Sequence, residues 1–463
     1  MADQDPALAA PIETKDDLLF IFRDAEKPAD QFRIGAEMEK PGVFAGTAAP
    51  LPYEGEKSVL RVLEELETNH GWKADRENPG GPLIALLRNH ASVTLEPGGQ
   101  LELSGAPMFD VHQVCVEFRE HMTELKAISD KLGVVWLGIG FHPFAARADL
   151  PWVPKSRYKF MREYLPTRGA HAIDMMLRTS TVQANYDYAN EADAMQKMRV
   201  SLKLSPLTTA IFANSPWVEG APHGGVSYRA KVWLDVDPDR SGLVEPLWRA
   251  GAGYADYAEW ALDVPMFLVK RDGKIIPNTG QTFRSFWKDG FEGVKPNQGD
   301  WQMHLNTLFP EVRLKRTIEV RGADAQCARL ACALPALWTG IFYDQGSLDE
   351  ADAMTKDWKF AEMNATRSSL WQTGLKTKFR GKSFRDLAVE LLDISERGLA
   401  RRARMSPSGK DERVHLVALK ELVLAGKTPG DHLLEQIDPK KELRPQILEL
   451  TNLERPLNPP RVD

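Results

Sequence analysis

The chain has 463 residues, a formal net charge of −6 at pH 7, and 43% hydrophobic and 27% charged residues. This composition excludes a disordered chain, a collagen and a small disulfide scaffold. The acidic balance argues against a dedicated nucleic-acid binder, and no apolar run approaches the roughly 18 residues of a membrane span. With three cysteines and no signal-peptide pattern, the sequence predicts a soluble, cytoplasmic protein.

The usual motifs of nucleotide, metal and hydrolase sites are absent from the sequence. There is no G-x-x-x-x-G-K-[ST] phosphate loop, and the pair Gly138 and Gly140 lacks the third glycine of a dinucleotide fingerprint. H-E-x-x-H, C-x-x-C and G-x-S-x-G motifs are also missing. A protein of this sequence that handles nucleotides or metals therefore does so by another arrangement.

The predicted domain organisation is simple. Residues 1–15 predict a flexible N-terminal arm, and 16–463 a single domain. The pattern is helical from about 384 to 463, with loops at 406–410 and 428–431. No internal repeat or linker between domains is recognisable.

Four helices are predicted before that C-terminal region. A glycine directly after the amphipathic run marks the end of the first two, at Gly71 and Gly133. A proline inside the pattern is expected to interrupt or kink the other two, at Pro206 and Pro335. In chain order the predicted helices span Glu56–His70, Met108–Leu132, Glu191–Asn214 and Asp324–Ile341.

Alternation of apolar and polar residues predicts six strands. This period of two is what an antiparallel sheet with one buried and one polar face requires. Two of the strands flank a Pro97-Gly98-Gly99 turn, as in a hairpin. The predicted strands are Gln31–Lys40, Ser92–Glu96, Gln100–Ser104, Ser180–Asp187, Tyr228–Asp237 and Thr317–Arg321.

If these strands share one sheet, its polar face gathers several charged side chains. Carboxylates held together on rigid strands repel one another unless a cation lies between them. Oxygen-only ligation suits Mg²⁺, and arginines on the same face suit phosphate or carboxylate groups. A polar side that simply faces water is the alternative for each strand, and the pattern leaves both interpretations open. The acids are Glu37, Glu39, Glu96, Glu102 and Glu319, with Arg229, Lys231 and Arg321 near them.

Six blocks on and around these strands are long and specific. They are FRIGAEMEK (32–40), SVTLEPGGQLELSGAP (92–107), MMLRTSTVQANYDY (175–188), LTTAIFANSPWVEG (207–220), ALDVPMF (261–267) and LFPEVRLKRTIEVRGAD (308–324). In this order the chain resembles glutamate–cysteine ligase (γ-glutamylcysteine synthetase) of the type shared by plants and proteobacteria. The resemblance extends from about 32 to 430.

The resemblance implies an α+β, glutamine-synthetase-like catalytic fold, in which a curved antiparallel sheet forms a funnel with helices packed outside. It implies that 16–463 is a single catalytic ligase domain. It also implies the reaction: ATP phosphorylates the γ-carboxylate of L-glutamate, and the amine of L-cysteine attacks the γ-glutamyl phosphate. Phosphoryl transfer of this kind depends on positioning and charge neutralisation more than on a protein nucleophile.

The resemblance also assigns roles to residues of this sequence. The five glutamates named above would hold the Mg²⁺ ions that bridge ATP and glutamate. Gln183 and Asn185 would line the junction between nucleotide and glutamate. Arg321, together with Arg229 and Lys315, would bind phosphate or the glutamate carboxylates, although simple ion pairing is an alternative for Arg229 and Lys315.

The cysteines bear on regulation. Plant members of the family carry two intramolecular disulfides, and Cys115 and Cys332 fall where one of those pairs lies. Cys115 also lies on an apolar helix face, where a free thiol behaves as a small hydrophobe. The sequence therefore favours reduced core cysteines, with a regulatory Cys115–Cys332 disulfide as the alternative.

Two other functions compete with the ligase. A related carboxylate–amine ligase would use glutamate with a different amine acceptor, because the sheet motifs define the ATP and glutamate half better than the acceptor half. A catalytically silent ligand-binding protein is disfavoured because all five acids are present. The expected partners are L-glutamate, L-cysteine and ATP, without nucleic acid or membrane, and the chain is expected to be a monomer or homodimer.

Overall fold

The computed structural model of the chain describes residues 6–271 and 274–455. Its strands, in chain order, are β1 Ile34–Lys40, β2 Gly42–Phe44, β3 Lys73–Asp75, β4 Ala85–Arg88, β5 Ala91–Leu95, β6 Leu101–Ser104, β7 Val134–Trp136, β8 Thr181–Tyr186, β9 Trp217–Val218, β10 Ala221–Pro222, β11 Ser241–Gly242, β12 Leu268–Arg271, β13 Lys274–Pro277, β14 Phe309–Pro310, β15 Val312–Leu314, β16 Ile318–Asp324, β17 Lys378–Phe379 and β18 Lys382–Ser383.

The helices surround one large sheet. They are α1 Lys15–Arg23, α2 Val59–Asn69, α3 Val111–Leu132, α4 Ser156–Tyr164, α5 Ala172–Arg178, α6 Glu191–Ile211, α7 Tyr228–Val232, α8 Tyr254–Leu262, α9 Phe283–Asp289, α10 Gln298–Asn306, α11 Ala328–Ala331, α12 Ala333–Phe342, α13 Gln345–Thr355, α14 Phe360–Thr373, α15 Phe384–Arg402, α16 Val417–Leu424, α17 Pro429–Glu435 and α18 Leu443–Thr451.

Eight strands form the central sheet, in the order β15-β16-β8-β1-β6-β5-β4-β3. Every neighbouring pair in it is antiparallel. The apolar side of β1 is buried against α3 and α12, whereas Glu37 and Glu39 lie on the other side and are partly accessible. The α+β architecture with a large antiparallel sheet is therefore confirmed. The one-sided burial that alternation predicts holds for β1 and β5, whereas β6, β8 and β16 are largely buried on both faces.

Two helix ends follow the sequence rules closely. Gly133 caps α3 in the left-handed conformation, with φ 69°, which glycine adopts without strain. Pro335 does not interrupt α12, because it lies in the first turn, where a backbone N–H has no intrahelical partner to lose.

The predicted helix start at Asp324 is wrong, since Asp324 ends β16. Pro206 lies within α6, which continues past it to Ile211.

The ends of the chain differ from expectation. Of the expected flexible arm 1–15, residues 1–5 lie outside the described residues, and the remainder packs against the protein. Ile12 is buried, its N–H donates to the Pro296 carbonyl at 3.3 Å, and its carbonyl accepts from Trp287 Nε1 at 3.0 Å. The expected loop at 428–431 begins α17, because Thr428 caps that helix. No helix in the two described ranges is both long and apolar enough to cross a membrane.

Cys115 and Cys332 form a disulfide, which corrects the preference for reduced core cysteines. Cys115 lies on α3, and Cys332 lies between α11 and α12. Their Cα atoms are 6.0 Å apart, within the range that a disulfide spans. The helix-face pattern of Cys115 carried no information about this distance, because the two residues are separated by 217 positions.

Candidate active site

The strand register brings the predicted acids together on one face of the sheet. Glu39 of β1 lies directly opposite Glu102 of β6, and Glu37 lies opposite Gln183 of β8. Glu319 of β16 lies opposite Asn185, also on β8. Directly paired residues on one face have Cβ atoms about 4.5–5.5 Å apart. The sheet therefore supplies four adjacent strands of polar side chains that point the same way.

Glu96 joins this group from a turn. It follows β5, and its carbonyl accepts from Gly99 N at 2.9 Å. Gly98 in the same turn lies so close to α5 that an added Cβ would be 2.2 Å from the Leu177 carbonyl oxygen. Gly98 thus allows the turn to pack tightly and to present Glu96 beside Glu39 and Glu102. Burial first, and then the charge of Glu96, raises the pKa values of Glu39 and Glu102.

The pKa values of three acids are raised. Burial, followed by repulsion from Glu319 and Glu102, raises the pKa of Glu37 to about 7. Burial and the charges of Glu96 and Glu102 raise the pKa of Glu39 well above its usual range. Burial and Glu96 also raise the pKa of Glu102. The protein alone therefore places too little positive charge beside these three carboxyl groups for them to ionise at their usual pH.

Glu319 is the exception, because three cations surround it. Arg313 Nη2 lies 2.9 Å from its carboxylate, and Lys315 and Arg321 form further ion pairs with it. Although Glu319 is fully buried, these cations hold its pKa well below the usual range. Its charge is thus compensated within the protein, unlike that of the acids on β1 and β6.

Strand β8 connects the acids to the cations through its amides. Asn185 Nδ2 donates to Glu37 at 2.9 Å. Gln183 Nε2 donates to Glu39 at 3.3 Å, while its Oε1 accepts from Arg321 Nη1 at 2.8 Å. Both amides therefore contact the acids of β1, and Gln183 also contacts Arg321.

Arg229 reaches the site from a different element than expected. The predicted strand Tyr228–Asp237 is wrong: Tyr228–Val232 is the helix α7, because the Ser227 hydroxyl accepts from Ala230 N and caps its start. Arg229 is buried, and its guanidinium donates to the carbonyls of Arg321 at 2.9 Å and Gly322 at 3.2 Å. Lys231, on the next helical face, lies near the rings of Tyr228 and Trp371 rather than on the acidic face.

Sequence reasoning missed two cations at this site. Arg313 lies on β15, where Val312 and Leu314 alternate with Arg313 and Lys315, a period-two signal that could have predicted this strand. Lys155 donates to the Leu95 carbonyl at 2.7 Å, and burial lowers its pKa to about 8. It precedes α4, and nothing in its local sequence indicated proximity to β5.

The donor set fits a hard cation. The carboxylates of the five predicted ligands, Glu37, Glu39, Glu96, Glu102 and Glu319, offer oxygen donors only, which suits Mg²⁺. Within the described residues, no three Asp, Glu, His or Cys side chains come close enough together to hold a metal ion as they stand. Mg²⁺ usually binds one or two carboxylates together with waters and substrate phosphates.

A family model and named relatives match nearly the whole chain. The model for glutamate–cysteine ligase family 2 matches residues 33–452. A chloroplastic glutamate–cysteine ligase from Medicago truncatula is 42% identical over 435 residues, covering 93% of this chain and 84% of that protein. The Arabidopsis thaliana enzyme is 42% identical over 425 residues, covering 91% of this chain and 79% of that protein. These relatives are chloroplastic by name, which contradicts the expected cytoplasmic location.

A solved structure shares the fold. The crystal structure of glutamate–cysteine ligase from Francisella tularensis in complex with AMP aligns with a TM-score of 0.55 and 14% sequence identity. The alignment covers 92% of this chain and 88% of that one. It confirms the glutamine-synthetase-like fold class.

Proposed function

The chain belongs to glutamate–cysteine ligase family 2, and on that premise we propose that its acidic sheet face binds Mg²⁺–ATP and L-glutamate and activates the γ-carboxylate as an acyl phosphate. The activity is ATP-dependent formation of γ-glutamylcysteine from L-glutamate and L-cysteine, the first step of glutathione biosynthesis. Glu37, Glu39, Glu96, Glu102 and Glu319 would supply the metal ligands, and Arg321, Lys315 and Arg229 would supply the anion contacts.

The pairing of Glu39 with Glu102 is the single observation that carries the metal proposal. Like charges directly opposite each other on a sheet are destabilising. Here Glu96 adds a third charge, and both paired carboxyl groups have raised pKa values. A divalent cation relieves this repulsion, and bound Mg²⁺ would neutralise charge on the phosphates during transfer.

The cations are positioned for anionic substrates. Arg321 donates to Gln183 as well as pairing with Glu319, so it connects the cation cluster to the acids of β1. Lys315 shares the same carboxylate. A phosphate or glutamate carboxylate that binds here replaces Glu319 as the anionic partner of Arg321 or Lys315. Before substrate binds, the ion pairs with Glu319 keep both cations in place, so neither is buried without a partner.

The chemistry requires no protein nucleophile. The γ-carboxylate oxygen attacks the terminal phosphorus, ADP leaves, and the amine of L-cysteine then attacks the acyl carbon and expels phosphate. Arg321, Lys315 and Arg229 stabilise the negative charge that develops in the first step. Gln183 and Asn185 hold the carboxylates of Glu39 and Glu37 in place through their amide hydrogens.

Positional isotope exchange tests the acyl phosphate. ATP labelled with ¹⁸O in the β,γ bridge is incubated with the enzyme, Mg²⁺ and L-glutamate, without cysteine. We expect the label to move into a β non-bridging position, because reversible phosphoryl transfer lets the β-phosphate of bound ADP rotate. Absence of exchange in an enzyme that turns over fully when cysteine is added would refute the intermediate. Omitting glutamate is the control.

A further inference from the structure

Asp324 forms a buried junction behind the acidic face. It is the last residue of β16, the strand that carries Glu319 and Arg321, and its side chain has no exposed surface. Its Oδ2 accepts from Asn214 N at 2.7 Å, from Ser215 Oγ at 2.7 Å and from Ser227 Oγ at 2.9 Å. One carboxylate oxygen therefore connects three chain segments.

Two of these partners control the start of α7. The Ser227 hydroxyl, while donating to Asp324, accepts from Ala230 N at 3.0 Å and caps the helix. The Ser215 hydroxyl accepts from Arg229 N at 3.2 Å. Asp324 thus orients both hydroxyls so that their oxygens accept from the backbone of α7.

The same carboxylate faces the side chain of Arg229. Asp324 Oδ1 lies 3.8 Å from Arg229 Nη1, and the guanidinium extends from there across the carbonyls of Arg321 and Gly322. Within the described residues, Arg229 Nε is a buried donor without a hydrogen-bond partner. The side chain of Arg229 is thus held in one orientation, and its Nε donor is unused.

The junction leaves no room for rearrangement. A Cβ added at Gly140 would lie 2.3 Å from Asp324 Cγ, so the chain passes against the carboxylate there. Asn214 Nδ2 closes the same region by donating to the carbonyls of Gly138 at 3.0 Å and Ala325 at 2.8 Å. The carboxylate is therefore enclosed by the chain at Gly140 and at Asn214, which makes it a rigid support for α7.

We propose that Asp324 is a positioning residue for the ligase reaction, holding α7 and the guanidinium of Arg229 in the orientation that anionic substrates need. This inference rests on the proposed function, in which Arg229 binds phosphate or glutamate carboxylate. Asp324 itself does not touch substrate.

A double-mutant cycle tests the proposal. Asp324→Asn retains the shape and one acceptor oxygen, but it places either an uncharged oxygen or an NH₂ group opposite Arg229. We expect kcat/KM for glutamate to fall by about 10-fold to 100-fold, the scale for a misplaced binding group. In an Arg229→Gln background the same change should cost no more than about twofold, because its effect acts through Arg229.

Asp237→Asn is the matched control. Asp237 is also fully buried, and it pairs with Arg240 at 2.6 Å rather than with Arg229. Any loss of kcat/KM it causes should multiply with that of Arg229→Gln. If Asp324→Asn does not fold, Ser215→Ala replaces it in the cycle, since it removes the hydroxyl between Asp324 and Arg229 N.

The outcomes separate the two claims. Losses from Asp324→Asn and Arg229→Gln that multiply would overturn the proposal, since Asp324 would then be only structural. Unchanged kcat/KM in Asp324→Asn would overturn it as well. Unchanged kcat/KM in Arg229→Gln would overturn both the inference and the role given to Arg229, whereas a failed isotope exchange would refute the acyl phosphate and leave the cycle interpretable.

Discussion

Replacing Glu37 by Gln should stabilise the metal-free protein at neutral and alkaline pH. Glu37 is partly buried, and burial with repulsion from Glu319 and Glu102 raises its pKa to about 7 from 4.5. The folded state therefore holds this proton more tightly than the unfolded state, so stability falls as pH rises from about 4.5 and levels off above about 7. A difference of about 2.5 pKa units corresponds to about 3 kcal/mol.

The measurement is urea unfolding of wild type and Glu37→Gln between pH 5 and 8 in EDTA. We expect the variant to gain up to about 3 kcal/mol relative to wild type as pH rises to 8, and little at pH 5. Mg²⁺ at about 100 times its Kd should add about 2.7 kcal/mol to wild type, and less to the variant. Glu120→Gln, at an exposed position on α3, is the control.

Equal stability of wild type and Glu37→Gln at pH 8 in EDTA would refute the reasoning, because the penalty for the buried charge would then be absent. An equal Mg²⁺ effect on the stability of both proteins would separately show that Glu37 is not a metal ligand. A comparable gain in Glu120→Gln would show that net charge, rather than the local cluster, is responsible.

Three further predictions follow from the same structure. Glu39→Gln should lower ATP turnover by about 10-fold to 100-fold, because it removes one carboxylate of the Glu39–Glu102 pair. It should also raise the Mg²⁺ concentration needed for half-maximal rate. An unchanged Mg²⁺ dependence would contradict the assignment of Glu39 as a metal ligand. Thiol titration in denaturant should find one free thiol before reduction and three after it, and three in both samples would exclude the Cys115–Cys332 bond. Ser58→Ala should cost about 1 kcal/mol of stability with unchanged kcat, since Ser58 caps α2 by accepting from Arg61 N at 3.1 Å; a loss of kcat at full stability would contradict this.

Sequence patterns predicted the sheet well where one face is buried and the other polar. Glu37, Glu39 and Glu102 were correctly placed on one face of the sheet, because a period of two fixes which residues share a face, although Glu102 itself is buried. The same rule failed for Tyr228–Asp237, where the Ser227 cap outweighs a short run of alternation.

Features that depend on contacts between distant segments were not accessible from local sequence patterns. The three cations around Glu319 converge because β15 returns beside β16, and alternation within a single strand does not reveal its neighbour. The Cys115–Cys332 bond and the Asp324 junction likewise join residues about a hundred or more positions apart. The family resemblance named the Cys115–Cys332 pair as an alternative, but local periodicity carries no such information. Choosing between bonded and reduced cysteines, and locating the Asp324 junction, therefore required the tertiary structure.

The most direct test of the central claim is the dependence of ADP and phosphate release on both amino acids. Mg-ATP is supplied with L-glutamate alone, with L-cysteine alone and with both, and the product is identified by mass. We predict steady release only when both are present, with γ-glutamylcysteine formed in equal amount. Glutamate-dependent release that some other amine supports and cysteine does not, or no release with any acceptor, would contradict it.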